Sequence, residues 1–167
     1  MAEGQNFSAW LRSSDIQASI GKCQALFNSG IFSSEQISTP LFESAVTFML
    51  INLNDLVAKA NKDGMRIAST DHIEVADKIK DLTDLIRECR NAASHVGSGE
   101  NMFEGVGKFT FNVASGFCPR AFNLYGTVLG CDFADDIAIY YGDKRIYLRR
   151  HLLFAFETIV GLYPANK

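Results

Sequence analysis

The sequence predicts a mainly α-helical protein, a four-helix bundle with a small antiparallel β-hairpin inserted before the last helix. Apolar residues recur at helical spacing in three segments before residue 97 and again near the C-terminus. Two-residue alternation is confined to the stretch between residues 109 and 148. With 167 residues and 47% hydrophobic content, the chain can bury one sizeable core. We therefore expect a single domain over residues 1–167, with a β-rich insertion at about residues 105–148.

The first two helices follow from their apolar spacing and their end signals. Residues 15–27 repeat apolar side chains at intervals of four, three and four, and Trp10 is expected in a buried turn before them. The second helix is predicted from residue 40 to residue 62, with Thr39 as N-cap and Pro40 at its first position. It is apolar around most of its circumference, which is typical of a central or shared helix.

The third helix has the most regular pattern in the chain. Asp71 and Glu74 resemble a capping box, and Gly97 supplies a stop signal. Between them an apolar stripe keeps a four-three repeat over about six turns: Val75, Ile79, Leu82, Ile86, Cys89, Ala93 and Val96. We expect this helix to pack against the second helix or against its own copy in another subunit, and the sequence does not choose between them.

The β-rich region and the last helix complete the prediction. Residues 109–114 alternate as a strand does, and residues 137–141 and 144–148 form a predicted hairpin around Gly142 and Asp143. Residues 116–136 show no clean period and are expected to be irregular. Apolar spacing predicts a final helix over residues 149–163.

Composition limits the classes of function. The four cysteines form no C-x-x-C pair, and we interpret them as reduced, mostly buried thiols. A net charge of −3 disfavours a broad nucleic-acid surface but permits a local cationic pocket. The sequence has no signal-peptide pattern and no uninterrupted stretch of about 18 apolar residues, so we expect a soluble, cytoplasmic protein without membrane contact. No cluster with metal-ligand spacing is present, and we expect no metal or cofactor.

The candidate site lies near the end of the third helix. Arg90, Asn91 and His95 fall within six residues, and this combination suits a metal-free phosphodiester site. A guanidinium binds phosphate through a planar fork of donors, and an imidazole transfers protons near neutral pH. Each of the three histidines follows an arginine at a similar distance, so the helical context rather than the spacing distinguishes this pair.

The two groups do not converge on an ideal helix. At about 100° per residue, His95 lies roughly 140° around the axis from Arg90. Either the helix unwinds at its end, which Gly97 favours, or a symmetry-related chain completes the cleft. Asn91 precedes His95 by four residues on the same face and could orient the imidazole.

The segment from Arg90 to His95 resembles the R-x(4–6)-H signature of the HEPN superfamily, in which a polar residue often follows the arginine. The resemblance covers the predicted helices, including Asn54 and Asp55 in the second helix, whereas the hairpin looks like an insertion. It implies an HEPN-like bundle, a homodimer with one shared cleft, and a metal-independent endoribonuclease of toxin–antitoxin or phage-defence type.

The resemblance also implies roles for individual residues. Arg90 would bind the scissile phosphate, and His95 would act as general acid or base as the 2′-hydroxyl attacks. The side chains expected to support RNA binding around them are Asn54, Asp55, Arg87 and Ser94. In one subgroup an antitoxin modifies a tyrosine directly before the histidine; Ser94 stands there in this chain, although an antitoxin partner of another kind is compatible with it.

A competing interpretation is a non-catalytic module of the same family that binds a nucleotide or a protein. Arg90 and His95 would then be only cations near a helix C-terminus, which are common. One further cluster could contact an RNA backbone, but solvated surface is the simpler interpretation: Lys144, Arg145, Arg149, Arg150 and His151. RNA digestion by wild-type and His95→Ala protein separates the two interpretations.

Overall fold

Four α-helices occupy the first part of the chain and its end. The structure is a computed structural model that describes residues 2–95, 97 and 99–165. The helices are α1 (Ala2–Asn28), α2 (Pro40–Lys62), α3 (Leu82–Ser94) and α4 (Phe154–Leu162). A π-helix (Leu148–Leu153) leads directly into α4.

The prediction for α2 is confirmed at both ends. The Thr39 hydroxyl accepts a hydrogen bond from the Phe42 N–H, and Pro40 occupies the first turn, where its missing N–H costs nothing. About half of its most apolar window is buried, and α2 contacts the other three helices. It is the one helix among the described residues that is long and apolar enough to cross a membrane, but its burial is consistent with the core helix of a soluble protein.

The start predicted for the third helix is wrong. α3 begins at Leu82, because the Asp81 carboxylate caps it by accepting from the Asp84 N–H. The N–H groups of Leu82 and Thr83 donate to carbonyls at residues 69 and 67. They therefore do not bond to a preceding helical turn, and the helix does not extend towards the N-terminus. His72 takes a left-handed φ of 58°, and Val75 of the predicted stripe is 60% exposed. Val96 lies outside the described residues.

α1 also departs from its predicted start, by beginning at Ala2 instead of residue 15. No proline interrupts the earlier residues, and Arg12 makes a two-pronged ion pair at 2.8 Å with Asp63, which follows α2. Trp10 therefore lies on a helix and is 61% exposed, so its predicted burial in a turn is wrong.

The β structure is larger than predicted and comprises three small antiparallel sheets. The strands are β1 (Met102–Phe103), β2 (Gly107–Lys108), β3 (Asn112–Ser115), β4 (Cys118–Leu124), β5 (Thr127–Cys131), β6 (Ile137–Tyr141) and β7 (Lys144–Tyr147). β1 pairs with β2, β4 pairs with β5, and β6 lies between β3 and β7. The hairpin of β6 and β7 is confirmed, and its turn places Gly142 at a positive φ of 64°. Residues 116–136, expected to be irregular, contain β4 and β5.

The predicted fold class is therefore wrong. About 48% of the chain is helical and about 20% is strand, so the fold is α+β and not mainly a four-helix bundle. Two buried clusters reflect this division. One lies among the helices and one face of β6 and β7; the other lies between the opposite face, β4 and β5, and is rich in aromatic rings. The predicted last helix is also divided, into the π-helix and α4.

Candidate functional site

The C-terminal end of α3 carries the residues of the candidate site. α3 ends at Ser94, and His95 is its C-cap, with φ −124° and ψ 60°. The His95 N–H donates to the Asn91 carbonyl at 3.1 Å. The amide of the buried Asn101 donates to the carbonyl oxygens of Ala92, at 3.0 Å, and His95, at 3.4 Å. Because His95 leaves the helical path, the angle of an ideal helix no longer fixes its position relative to Arg90.

Burial separates the members of this site. Ser94 and His95 are exposed, whereas Arg90 and Asn91 are half-buried. Within the described part of the chain, Arg90 makes no ion pair. A half-buried guanidinium without a carboxylate partner retains its donors for an incoming anion.

Arg87 lies one turn earlier on α3 and has a different environment. Its guanidinium contacts the buried carboxylates of Asp84, at 2.8 Å, and Glu88, at 3.1 Å. Burial alone would raise the pKa of Asp84, but hydrogen bonds from Arg66 and the Lys80 N–H, with the Arg87 charge, hold that pKa below its ordinary value. The Arg87 charge is thus already balanced inside the protein.

The two predicted residues of α2 lie apart from these carboxylates. Asn54 is half-buried, and Asp55 is exposed and pairs with Lys59 at 2.5 Å. Lys59 also pairs with Asp15 of α1, so the Asp55 carboxylate belongs to a surface network between α1 and α2.

Two of the basic residues near the C-terminus, Arg149 and Arg150, contact Asp136, which the sequence did not single out. The Asp136 side chain is fully buried and accepts N–H groups from Ile137 and Arg149 at 2.8 Å and from Arg150 at 3.0 Å. The Arg150 guanidinium adds an ion pair at 3.0 Å and lies 3.6 Å from the centre of the Phe133 ring. Asp136 thereby caps the π-helix, and Arg150 stabilises the fold instead of facing solvent.

His151 is buried beside this cluster with both ring nitrogens in use. Its Nδ1 accepts the Tyr147 N–H at 3.0 Å, which leaves Nε2 to donate to the Asp71 carbonyl at 3.0 Å. Burial lowers the His151 pKa to about 4. This imidazole is therefore neutral at physiological pH and connects the segment before α3 to the π-helix.

A groove of about 800 Å³ lies elsewhere, between residues 74–79, the β1–β2 hairpin and the β6–β7 turn. Its floor includes Ile79, Leu85 and Met102. Five carboxylates and three cations line it: Glu74, Asp77, Glu100, Glu104, Asp143, Lys78, Lys144 and Arg145. Neither Arg90 nor His95 lines it. Sequence reasoning could not find this groove, because its walls come from three distant segments.

Across the described residues, no group of three or more His, Cys, Asp or Glu side chains is placed to hold a metal ion. Comparisons with known protein families, with curated proteins and with solved structures find no match to this chain.

Proposed function

We propose that the protein is a cytoplasmic, metal-independent endoribonuclease whose site is formed by Arg90, Asn91 and His95. The observation that carries the proposal is the state of Arg90, which is half-buried near the end of α3 and makes no ion pair among the described residues. Leaving such a guanidinium without a carboxylate is unfavourable unless an anion or water satisfies it. An RNA phosphate is an anion that matches its planar fork of donors.

His95 supplies the proton chemistry in this proposal. Its side chain is exposed at the first residue beyond α3, where it can reach a bound RNA. Cleavage proceeds by attack of the 2′-hydroxyl on the phosphorus, which leaves a 2′,3′-cyclic phosphate and a 5′-hydroxyl. The step needs one group to accept the 2′-hydroxyl proton and another to protonate the departing 5′-oxygen. Two copies of His95, one from each chain of a homodimer, provide both groups.

The exposed apolar side chains of α2 support this pairing. Leu41, Phe48 and Ile51 are 69%, 44% and 46% exposed and lie along one side of the helix. α2 packs against α3, the helix that carries Arg90. A two-fold contact along α2 would bury this row and bring two copies of α3 close together.

Ile51→Glu tests the dimer directly. We expect this substitution to convert the protein to a monomer in light scattering at micromolar concentration and to abolish cleavage. Val128→Glu is the matched control, because Val128 is similarly exposed, at 44%, but lies on β5. A wild-type protein that is monomeric at high micromolar concentration would contradict the shared site.

The reaction is tested by digesting a mixed-sequence RNA with purified protein in the presence of EDTA. We expect cleavage to persist without divalent metal. Every new 5′ end should carry a hydroxyl that polynucleotide kinase can label directly. Arg90→Ala should stop the reaction, whereas Arg149→Ala should not, because Arg149 lies on the π-helix and not on α3. Products with 5′-phosphates, or activity that requires Mg²⁺, would contradict the proposed chemistry.

The large groove supports a second candidate, a protein-binding module. Its five carboxylates and three cations give an acidic balance that repels polyphosphate, and its apolar floor suits a segment of protein. An antitoxin or regulator is a partner of this chemistry. Absence of cleavage of any RNA, together with capture of a basic protein segment in this groove, would favour this candidate.

A further inference from the structure

Two cysteines face each other across the β4–β5 hairpin. The strand register pairs Cys118 directly with Cys131. Directly opposite residues of an antiparallel pair have Cα atoms about 4.5–5.5 Å apart, within the range that a disulfide requires. Both side chains pack against the same aromatic-rich cluster, so they lie on one face of the hairpin. The thiols are nevertheless both free.

Each thiol donates to different carbonyl groups in the reduced form. Cys118 Sγ contacts the carbonyl of Gly116 at 3.2 Å, and Cys131 Sγ contacts the carbonyl of Phe133 at 3.3 Å. Thiol hydrogen bonds are weak, so a rotation about χ1 can exchange them for a bond between the sulfurs. The two backbones are also held close, because a Cβ at Gly130 would lie 2.1 Å from the Cys118 carbonyl oxygen.

The two cysteines differ in their access to solvent. Cys118 is half-buried, whereas Cys131 is fully buried and burial raises the pKa of its thiol. Cys118 is therefore the side chain that an oxidant reaches first, and Cys131 is placed beside it to resolve the product.

We propose that Cys118 and Cys131 form a reversible redox site that closes the β4–β5 hairpin with a disulfide when a peroxide is present. The Cys118 thiolate attacks one peroxide oxygen, the O–O bond breaks, and Cys118 becomes a sulfenic acid. The departing hydroxide takes up the proton that the thiol released and becomes water. Cys131 sulfur then attacks the sulfenic sulfur, the S–S bond forms, and a second water leaves. The two thiols supply the two electrons that reduce the peroxide. A thiol reductant then reduces the disulfide back to two thiols, as is usual for the transient disulfides of reducing compartments.

The redox site is connected along the chain to the Asp136 cluster. Beyond Cys131, residues 132–136 contain the carboxylates that pair with Arg145 and Arg150. Gly130 is fixed to β6 by two hydrogen bonds with the Tyr140 hydroxyl, at 2.9 and 2.6 Å. A disulfide at this point therefore stiffens the hairpin where it joins the π-helix cap.

To test this proposal, wild-type protein is treated with hydrogen peroxide and its remaining thiols are alkylated in denaturant. The peptides are then mapped by mass spectrometry. Of the four cysteines, Cys23 and Cys89 should remain alkylatable, while a disulfide joins the peptides of Cys118 and Cys131 and disappears with dithiothreitol. Amide exchange across residues 118–131 should slow by about tenfold on oxidation.

Two variants complete the test. Cys131→Ser should block the disulfide and leave Cys118 as a sulfenic or sulfinic acid, whereas Cys89→Ser should leave the reaction unchanged. Four alkylatable thiols after peroxide treatment, a disulfide between two chains, or Cys118 overoxidised in the wild type would each overturn the proposal. Because these measurements need no RNA, their outcome is independent of the ribonuclease proposal.

Discussion

Two arginine–histidine pairs of this chain have opposite environments. Arg150 and His151 are adjacent, and their polar groups are used within the protein: Arg150 by Asp135 and Asp136, and His151 by the Tyr147 N–H and the Asp71 carbonyl. Arg90 makes no ion pair among the described residues, and His95 is exposed beyond the end of α3. The same residue types stabilise the fold in one place and lie near an exposed helix end in the other. Burial and the polar groups packed around each pair, and not the residue types, distinguish the two.

The largest change in stability is expected from removing the Asp136 carboxylate, which lies beside Arg150 and His151. Asp136→Ala leaves the π-helix N–H groups and the Arg150 guanidinium without their acceptor, and should lower the free energy of unfolding by about 4 kcal/mol. Urea denaturation followed by circular dichroism measures this change. The matched control is Asp135→Ala, whose exposed carboxylate pairs with the same arginine, and it should cost less than about 1 kcal/mol. Equal costs would contradict the role of Asp136.

The next effect is a pH dependence that originates from His151. Its pKa is about 4 in the folded protein and near 6.5 when unfolded, so the unfolded chain binds more protons between these values. Stability should therefore fall by about 3 kcal/mol as the pH decreases from 6.5 to 4. Asp84, whose folded pKa is lowered, stabilises the fold above its unfolded pKa, and this stabilisation is lost as the pH falls through its folded pKa.

Urea midpoints measured across this range test the assignment to His151. The His151→Gln variant cannot titrate and should show a much flatter profile, whatever its absolute stability. A slope that survives His151→Gln unchanged would contradict the assignment to His151.

The smallest effect separates two neighbouring arginines of α3. Arg87→Ala removes a cation from the buried carboxylates of Asp84 and Glu88 and should cost about 1 kcal/mol, a modest value because Arg87 is itself exposed. Arg90→Ala removes no ion pair and should change stability by less than about 0.5 kcal/mol. Thermal denaturation of the two variants at neutral pH distinguishes them, and a larger loss for Arg90→Ala would indicate a structural role.

Local signals predicted the parts of the fold that depend on local chemistry. Thr39 and Pro40 fixed the start of α2, and Gly142 with Asp143 marked the β6–β7 turn, because these residues act through their own backbone geometry. The apolar pattern failed before α3, since Ala76 and Ile79 exchange backbone hydrogen bonds in a local turn, and the N–H groups of Leu82 and Thr83 bond to carbonyls at residues 69 and 67. β4 and β5 were missed because a β-bulge after Cys118 interrupts their alternation.

The candidate site shows the same limit. The close spacing of Arg90, Asn91 and His95 is readable from the sequence because all three lie on or next to one helix end. The role of Asp136 cannot be read from the sequence. Its partners lie up to 14 residues away, and their contacts depend on how the π-helix packs against β6. The predicted function of the Arg90 segment therefore remains to be measured.

The most direct measurement is the single-turnover rate at which wild-type and His95→Ala protein cleave one labelled RNA in EDTA at neutral pH. Circular dichroism and urea midpoints must first show that both proteins are folded, and we expect the substitution to cost at most about 1 kcal/mol. If His95 transfers protons, its removal should lower the rate by roughly 100-fold or more. Equal rates for the two folded proteins, or no cleavage by the wild type, would contradict the central claim that the Arg90–His95 pair is catalytic.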